Sequence, residues 1–169
     1  MQGIDSQKLT RLSLLAALAL LFQSLRFILP IPVFFSTFLI GSLVNAVLLV
    51  SVYFLGIWET VLIACITPLV AYFQQLLPLP VFIIPIAIGN TLYAGMFHLL
   101  KRQWLGTGIA AIVKTLFLWE SFRWLMSLVA IPPKMAAGIL FIMSWPQLVT
   151  GILGGMLAIL LIQRLKLSL

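Results

Sequence analysis

Long uncharged stretches alternate with short polar breaks along this chain. No Asp, Glu, Lys or Arg occurs from Phe27 to Trp58, from Thr60 to Leu100, or from Met135 to Gln163. A helix that crosses a bilayer needs about 20 mostly apolar residues. The middle stretch therefore holds two crossings, and Leu77-Pro78-Leu79-Pro80 is the natural break between them. The pattern predicts six helices, at about 9–29, 35–55, 60–77, 81–100, 105–131 and 135–165. The expected fold class is an all-α integral membrane protein, a single six-helix domain over residues 1–169. The first apolar run is expected to be retained as a helix, not cleaved as a secretory signal. Its small residues Ala17 and Ala19 lie inside the run, and more membrane sequence follows it.

The basic residues give a direction. Lys8 and Arg11 precede the first helix, Lys101 and Arg102 lie between the fourth and fifth, and Arg164 and Lys166 follow the sixth. An even number of spans puts all six on one side, with only Arg26 and Lys134 near the other. By the positive-inside rule both termini are expected in the cytoplasm, with the chain multi-pass in the cell membrane. Proline divides the chain the same way. Pro30, Pro32, Pro78, Pro80, Pro132 and Pro133 fall in the three outer connections, while the inner ones turn through Gly56 and Gly106. Either the outer face is stiff and shaped, or proline merely stops helices there. Pro68, Pro85 and Pro146 are expected inside helices three, four and six, each freeing a backbone carbonyl at membrane depth.

Composition agrees. The chain is 63% hydrophobic and 8% charged, with a net charge of +7. A soluble domain has about 25% charged residues, so a soluble enzyme is excluded. The hydrophobicity also excludes a disordered chain. The basic balance fits membrane orientation better than nucleic acid, and no nucleic-acid partner is expected.

Familiar catalytic and metal motifs are missing. The lone His98 reads as interfacial and the lone Cys65 as a packing residue, so neither a metal nor a cofactor is expected. Residues 108–115 resemble a phosphate loop, but Val113 stands where that loop needs glycine. ATP hydrolysis is not expected of this chain, nor is any enzyme activity. Of three acids, only Glu120 falls within a span, which is thin for a proton or sodium relay.

Polar residues inside a membrane are where function is sought first. Gln23, Arg26, Asn45, Gln74, Gln75, Asn90, Glu120, Arg123, Trp145 and Gln147 nearly all lie from mid-span outward, the pattern of a pocket open outside and closed below. On helix five, Glu120 and Arg123 share a face with Trp119 and Ser127. They are either a buried structural pair or part of a ligand wall. The candidate substrate-binding set is Asn45, Gln74, Asn90, Trp119, Glu120, Arg123, Trp145 and Gln147. Lys114 lies half a turn out of phase with Arg123 at 100° per residue. It is expected to snorkel to the cytoplasmic headgroups or to meet a partner subunit. Small residues mark close helix approach: Ser13, Ala16 and Ala17 in helix one, and Gly151, Gly154 and Gly155 in helix six, where internal packing is the expected role.

The run from Lys8 to Ala19, KLTRLSLLAALA, resembles the first helix of substrate-binding S components of energy-coupling factor (ECF) vitamin transporters. Pro85-Ile86-Ala87-Ile88-Gly89-Asn90, the length and the six-helix plan add to the likeness. The resemblance implies an S-component-like bundle that captures a vitamin-like molecule in an outward pocket and delivers it by toppling in the membrane. It also implies a transmembrane coupling subunit, docked on an Ala-x-x-x-Ala surface, and two cytoplasmic ATPases that supply the energy. The matching positions are Ser13 and Ala17, with serine replacing the first alanine. Two other readings stand beside it. One is a structural membrane protein of the cell-shape or scaffold type, which has no need of polar groups at a common depth. The other is a membrane enzyme acting on lipid, which would want acids or histidines near the cytoplasmic headgroups, where only Glu59 and His98 are expected.

Overall fold

The computed structural model describes residues 6–100 and 103–167. The elements are α1 (Ser6–Ile28), α2 (Val33–Phe54), α3 (Ile57–Phe73), α4 (Ile83–Leu100), α5 (Gln103–Leu128), α6 (Pro133–Ile142) and α7 (Trp145–Leu167), with a 3₁₀ turn at Pro80–Phe82 before α4. All regular structure among the described residues is helical. Five apolar stretches are long enough to cross a membrane, the last of them running through α6 and α7, and α3 is a shorter apolar helix. Lys101, Arg102 and Asp5 lie outside the described residues.

Burial is distributed as lipid requires. Large apolar side chains such as Leu14, Trp58, Phe73, Leu99 and Trp124 face outward, while Ser42, Asn45, Ser51, Thr67, Asn90, Lys114 and Thr150 are buried. Exposed apolar surface of this extent would be a liability in water; in hydrocarbon it costs nothing, and polar groups do better inside.

α2 is the central helix. It packs against α7 most extensively and also touches α1, α3 and α4; α4 lies on α5, and α5 on α7. Glycines let α7 come close. A Cβ at Gly154 would lie 2.5 Å from the Ser42 carbonyl oxygen and 2.6 Å from Asn45 Cβ. One at Gly151 would lie 2.8 Å from Ala111 Cβ, and one at Gly155 would collide with Thr107. Successive faces of α7 thus seat on α2 and α5, the internal packing expected of these small residues. Around this contact, Leu49, Val52, Tyr93, Phe97, Ala158 and Ile162 fill the half of the bundle nearer the termini.

Several boundaries differ from expectation for local reasons. α3 stops at Phe73 rather than 77 because Gln75 turns to φ +59°, and amides of Gln75 and Leu76 return to the carbonyls of Tyr72 and Ala71 at 2.9 Å. The expected sixth helix is two, broken at Met143 and Ser144. Pro146 has no N–H for the carbonyl of Ile142; the Gln147 side chain donates to that carbonyl instead, at 3.2 Å. Pro85 and Pro146 sit in the first turns of α4 and α7, where their missing N–H is harmless. Only Pro68 is interior. Gly106 is inside α5, not in a connection.

Candidate functional site: a cavity with a lysine in its floor

A cavity of about 240 Å³ opens among the helices in the half that carries the α1–α2, α3–α4 and α5–α6 connections. Its lining draws on every helix: Arg26 from α1, Asn45 from α2, Thr67 from α3, Asn90 from α4, Lys114 from α5, Ile142 from α6 and Gln147 from α7. The tight alanine and glycine packing of α2, α5 and α7 closes the opposite half.

The floor is built around Lys114. The residue is only 4% exposed. Its Nζ donates to Asn45 Oδ1 at 2.7 Å and to Asn90 Oδ1 at 2.8 Å, and lies 5.3 Å from the centre of the Tyr93 ring. Each asparagine is turned toward the lysine by a threonine behind it. Asn45 Nδ2 donates to Thr150 Oγ1, and Asn90 Nδ2 to Thr67 Oγ1, both at 3.4 Å. Those hydroxyls accept because their own protons are engaged: Thr150 donates to the Gln147 carbonyl at 3.1 Å, Thr67 to the Ala64 carbonyl at 3.4 Å.

The Ala64 carbonyl is the one that Pro68, four residues on, leaves without an amide. The proline kink therefore feeds a chain that runs from backbone to hydroxyl to amide to ammonium. Tyr93 is fixed in turn by its hydroxyl, which donates to the Gly151 carbonyl at 2.6 Å. Face-on aromatic contact and amide dipoles both favour a cation at this spot.

Nearer the connections, Gln23 Nε2 donates to Gln74 Oε1 and Gln74 Nε2 to Ser24 Oγ, each at 3.0 Å, tying α1 to α3. Gln23 lines the cavity and Gln74 supports it from behind. Arg26 also lines the cavity, and its Nε is buried without a hydrogen-bond partner.

The expected site residues fall into two groups. Asn45, Asn90 and Gln147 converge on the cavity. Gln74, Trp119, Glu120, Arg123 and Trp145 are not among its lining residues. Glu120 and Arg123 pair with each other at 3.3 Å on an exposed face, their side chains 66% and 58% accessible, so the buried form of that pair is not what the structure holds. Trp145 packs on Phe38 and Phe141. The expectation that Lys114 snorkels is overturned, because its ammonium is enclosed by α2, α4 and α5. Lys114, Thr67, Thr150 and Tyr93 are site residues that sequence reasoning missed. The available signal was the small pair Ala110 and Ala111, which with Leu118 and Phe122 shares the buried face of Lys114.

Among the small residues of α1, Ser13 and Ala17 are exposed, and Ala16 packs partly against the cluster of Val47, Leu48, Ile63 and Ala64. No group of three or more metal-binding side chains occurs among the described residues. Comparison with known proteins finds no match, whether by family model, by curated sequence or by solved structure.

Proposed function

We propose that this chain is the membrane-embedded substrate-capture subunit of an ECF-type importer. The observation that carries the reading is the one-sided cavity, polar at its floor and sealed toward the termini by close helix packing. In this reading the chain crosses the cell membrane six times, α3 and the broken α6–α7 pair each counting as one crossing, with both termini cytoplasmic. The cavity then faces outward and receives a vitamin-like small molecule. Ser13 and Ala17 lie on an exposed stripe beside Leu14 and Leu21, the surface on which a transmembrane coupling subunit docks. Two cytoplasmic ATPases bound to that subunit supply the energy for toppling and release. A scaffold of the cell-shape type has no use for a cavity floored by a buried ammonium.

The test is purification of the tagged chain from its own cells in mild detergent. One transmembrane partner and two ATPases are expected with it, and Ala17→Trp is expected to remove all three together. Recovery of the chain without ATPases, or with a cytoskeletal partner instead, overturns the reading.

A further inference from the structure

Resting on the capture reading, we infer that the ligand is a small organic carboxylate with an apolar body, and that Lys114 in the cavity floor holds its acid group.

The charge balance of the bundle leads there. The chain has three carboxylates. Glu59 is paired with Lys8 at 2.5 Å at the far end of the bundle, and Glu120 with Arg123 on the exposed face of α5. Asp5 lies outside the described residues. The cavity is lined by Lys114 and Arg26 and by no Asp or Glu. Two cations therefore share one cavity without a countercharge among the described residues. A buried charge kept without a partner is costly, and in membrane interiors such residues mark ligand or ion paths.

The donors tell the same story. An ammonium carries three N–H donors. Lys114 spends two on the asparagine oxygens. The third has no acceptor among the described residues. The asparagines hold the ammonium in place with dipoles and leave its charge uncancelled, so an anion entering the cavity meets a fixed, desolvated cation. Arg26 adds positive potential on the way in, which steers anions toward the floor.

Size and walls narrow the class. About 240 Å³ is below the usual range of roughly 300–1,000 Å³ for ligand pockets. Ile40, Val44, Phe82, Ile86 and Phe122 line the cavity between the two cations. A phosphate monoester asks for several donors converging on one group, whereas the floor offers the one remaining N–H of Lys114 and Arg26 stands apart in the last turn of α1, which suits a single carboxylate at Lys114.

The full-length protein in detergent provides the test. A low-molecular-weight cell extract is split on a strong anion exchanger at neutral pH, and each fraction is assayed for thermal stabilisation and, by native mass spectrometry, for a retained molecule. The retained, anionic fraction should raise the melting temperature. That activity should survive phosphatase treatment, and Lys114→Met should weaken it by roughly 30-fold or more. Arg26→Gln, at the less enclosed end, should weaken it by a smaller factor and keeps the test decisive if Lys114→Met does not fold. Stabilisation by the unretained fraction overturns the anion inference and leaves capture standing. Loss of activity on phosphatase treatment makes the ligand a phosphate and overturns the carboxylate. An equal response of wild type and both variants removes Lys114 and Arg26 from recognition. Stabilisation by neither fraction overturns capture itself, and the inference with it.

Discussion

Lys114 and Arg123 are carried by the same helix, nine residues apart, and the bundle treats them in opposite ways. Lys114, near the middle of α5, is enclosed and holds two amide oxygens within 2.8 Å. Arg123, one turn from the end of α5, is exposed and meets Glu120 across a single helical turn. A cation near a helix end reaches the interface and needs little from the protein. A cation at mid-depth needs acceptors brought from other helices, and those acceptors need partners of their own. Six residues on four helices are committed to Lys114 (Asn45, Asn90, Thr67, Thr150, Tyr93 and, through its backbone, Gln147), whereas Arg123 is shown paired with Glu120, from its own helix. Investment of that kind separates a site from a surface charge.

The comparison breaks most readily at the asparagines. Asn90→Leu removes a charged hydrogen bond from an enclosed ammonium and should cost about 1.5–3 kcal/mol, read as a lowered unfolding midpoint in detergent. A change of under half a kilocalorie per mole would mean that the lysine is less dependent on its amides than its geometry says. Gly154→Ala attacks the same cluster through the backbone. Its methyl would press on the Ser42 carbonyl and on Asn45 Cβ, and overpacking of this kind costs about 1–3 kcal/mol. The variant should lose ligand response as well as stability, since Asn45 must shift.

On the other face the effects should be small. Arg123→Gln and Glu120→Gln are each expected to stay within about 1 kcal/mol, and their double-mutant coupling within about 0.2–1 kcal/mol, as for exposed pairs. Glu59→Gln, which breaks the partly exposed link to Lys8 between α1 and α3, belongs in the same range and should leave ligand response untouched. A coupling of several kilocalories per mole at Arg123 would sharpen the contrast in the wrong direction and return that face to the list of candidate sites.

The helices themselves were legible because charge is excluded from hydrocarbon, so gaps in the charge pattern trace the apolar spans. The same reading gave the polar positions along the helices, and of those it picked out, Asn45, Asn90 and Gln147 line the cavity while Gln74, Trp119, Glu120, Arg123 and Trp145 do not. What the pattern could not supply was the facing of α5. It placed Lys114 and Arg123 half a turn apart, as the structure has them, but the charged pair Glu120–Arg123 looked like the expensive feature that must be hidden. The deciding information lay in Ala111, whose small size admits Gly151 of α7, and in Thr67 and Thr150, which lie 47 and 36 residues from Lys114 in the chain and orient the amides. The broken α6–α7 helix was hidden for a related reason. Pro146 signals a break only when it is known that Gln147 can turn back and satisfy the Ile142 carbonyl.

The paired Asn–Thr units around Lys114 do for the ammonium what water does for a free one. They offer oxygen dipoles at hydrogen-bond distance and no net charge. Water would follow an ion and relax around it, whereas these dipoles are fixed to the backbone of four helices. The centre of the bundle thus contains a frozen fragment of a hydration shell, its oxygen positions ordered by the chain itself.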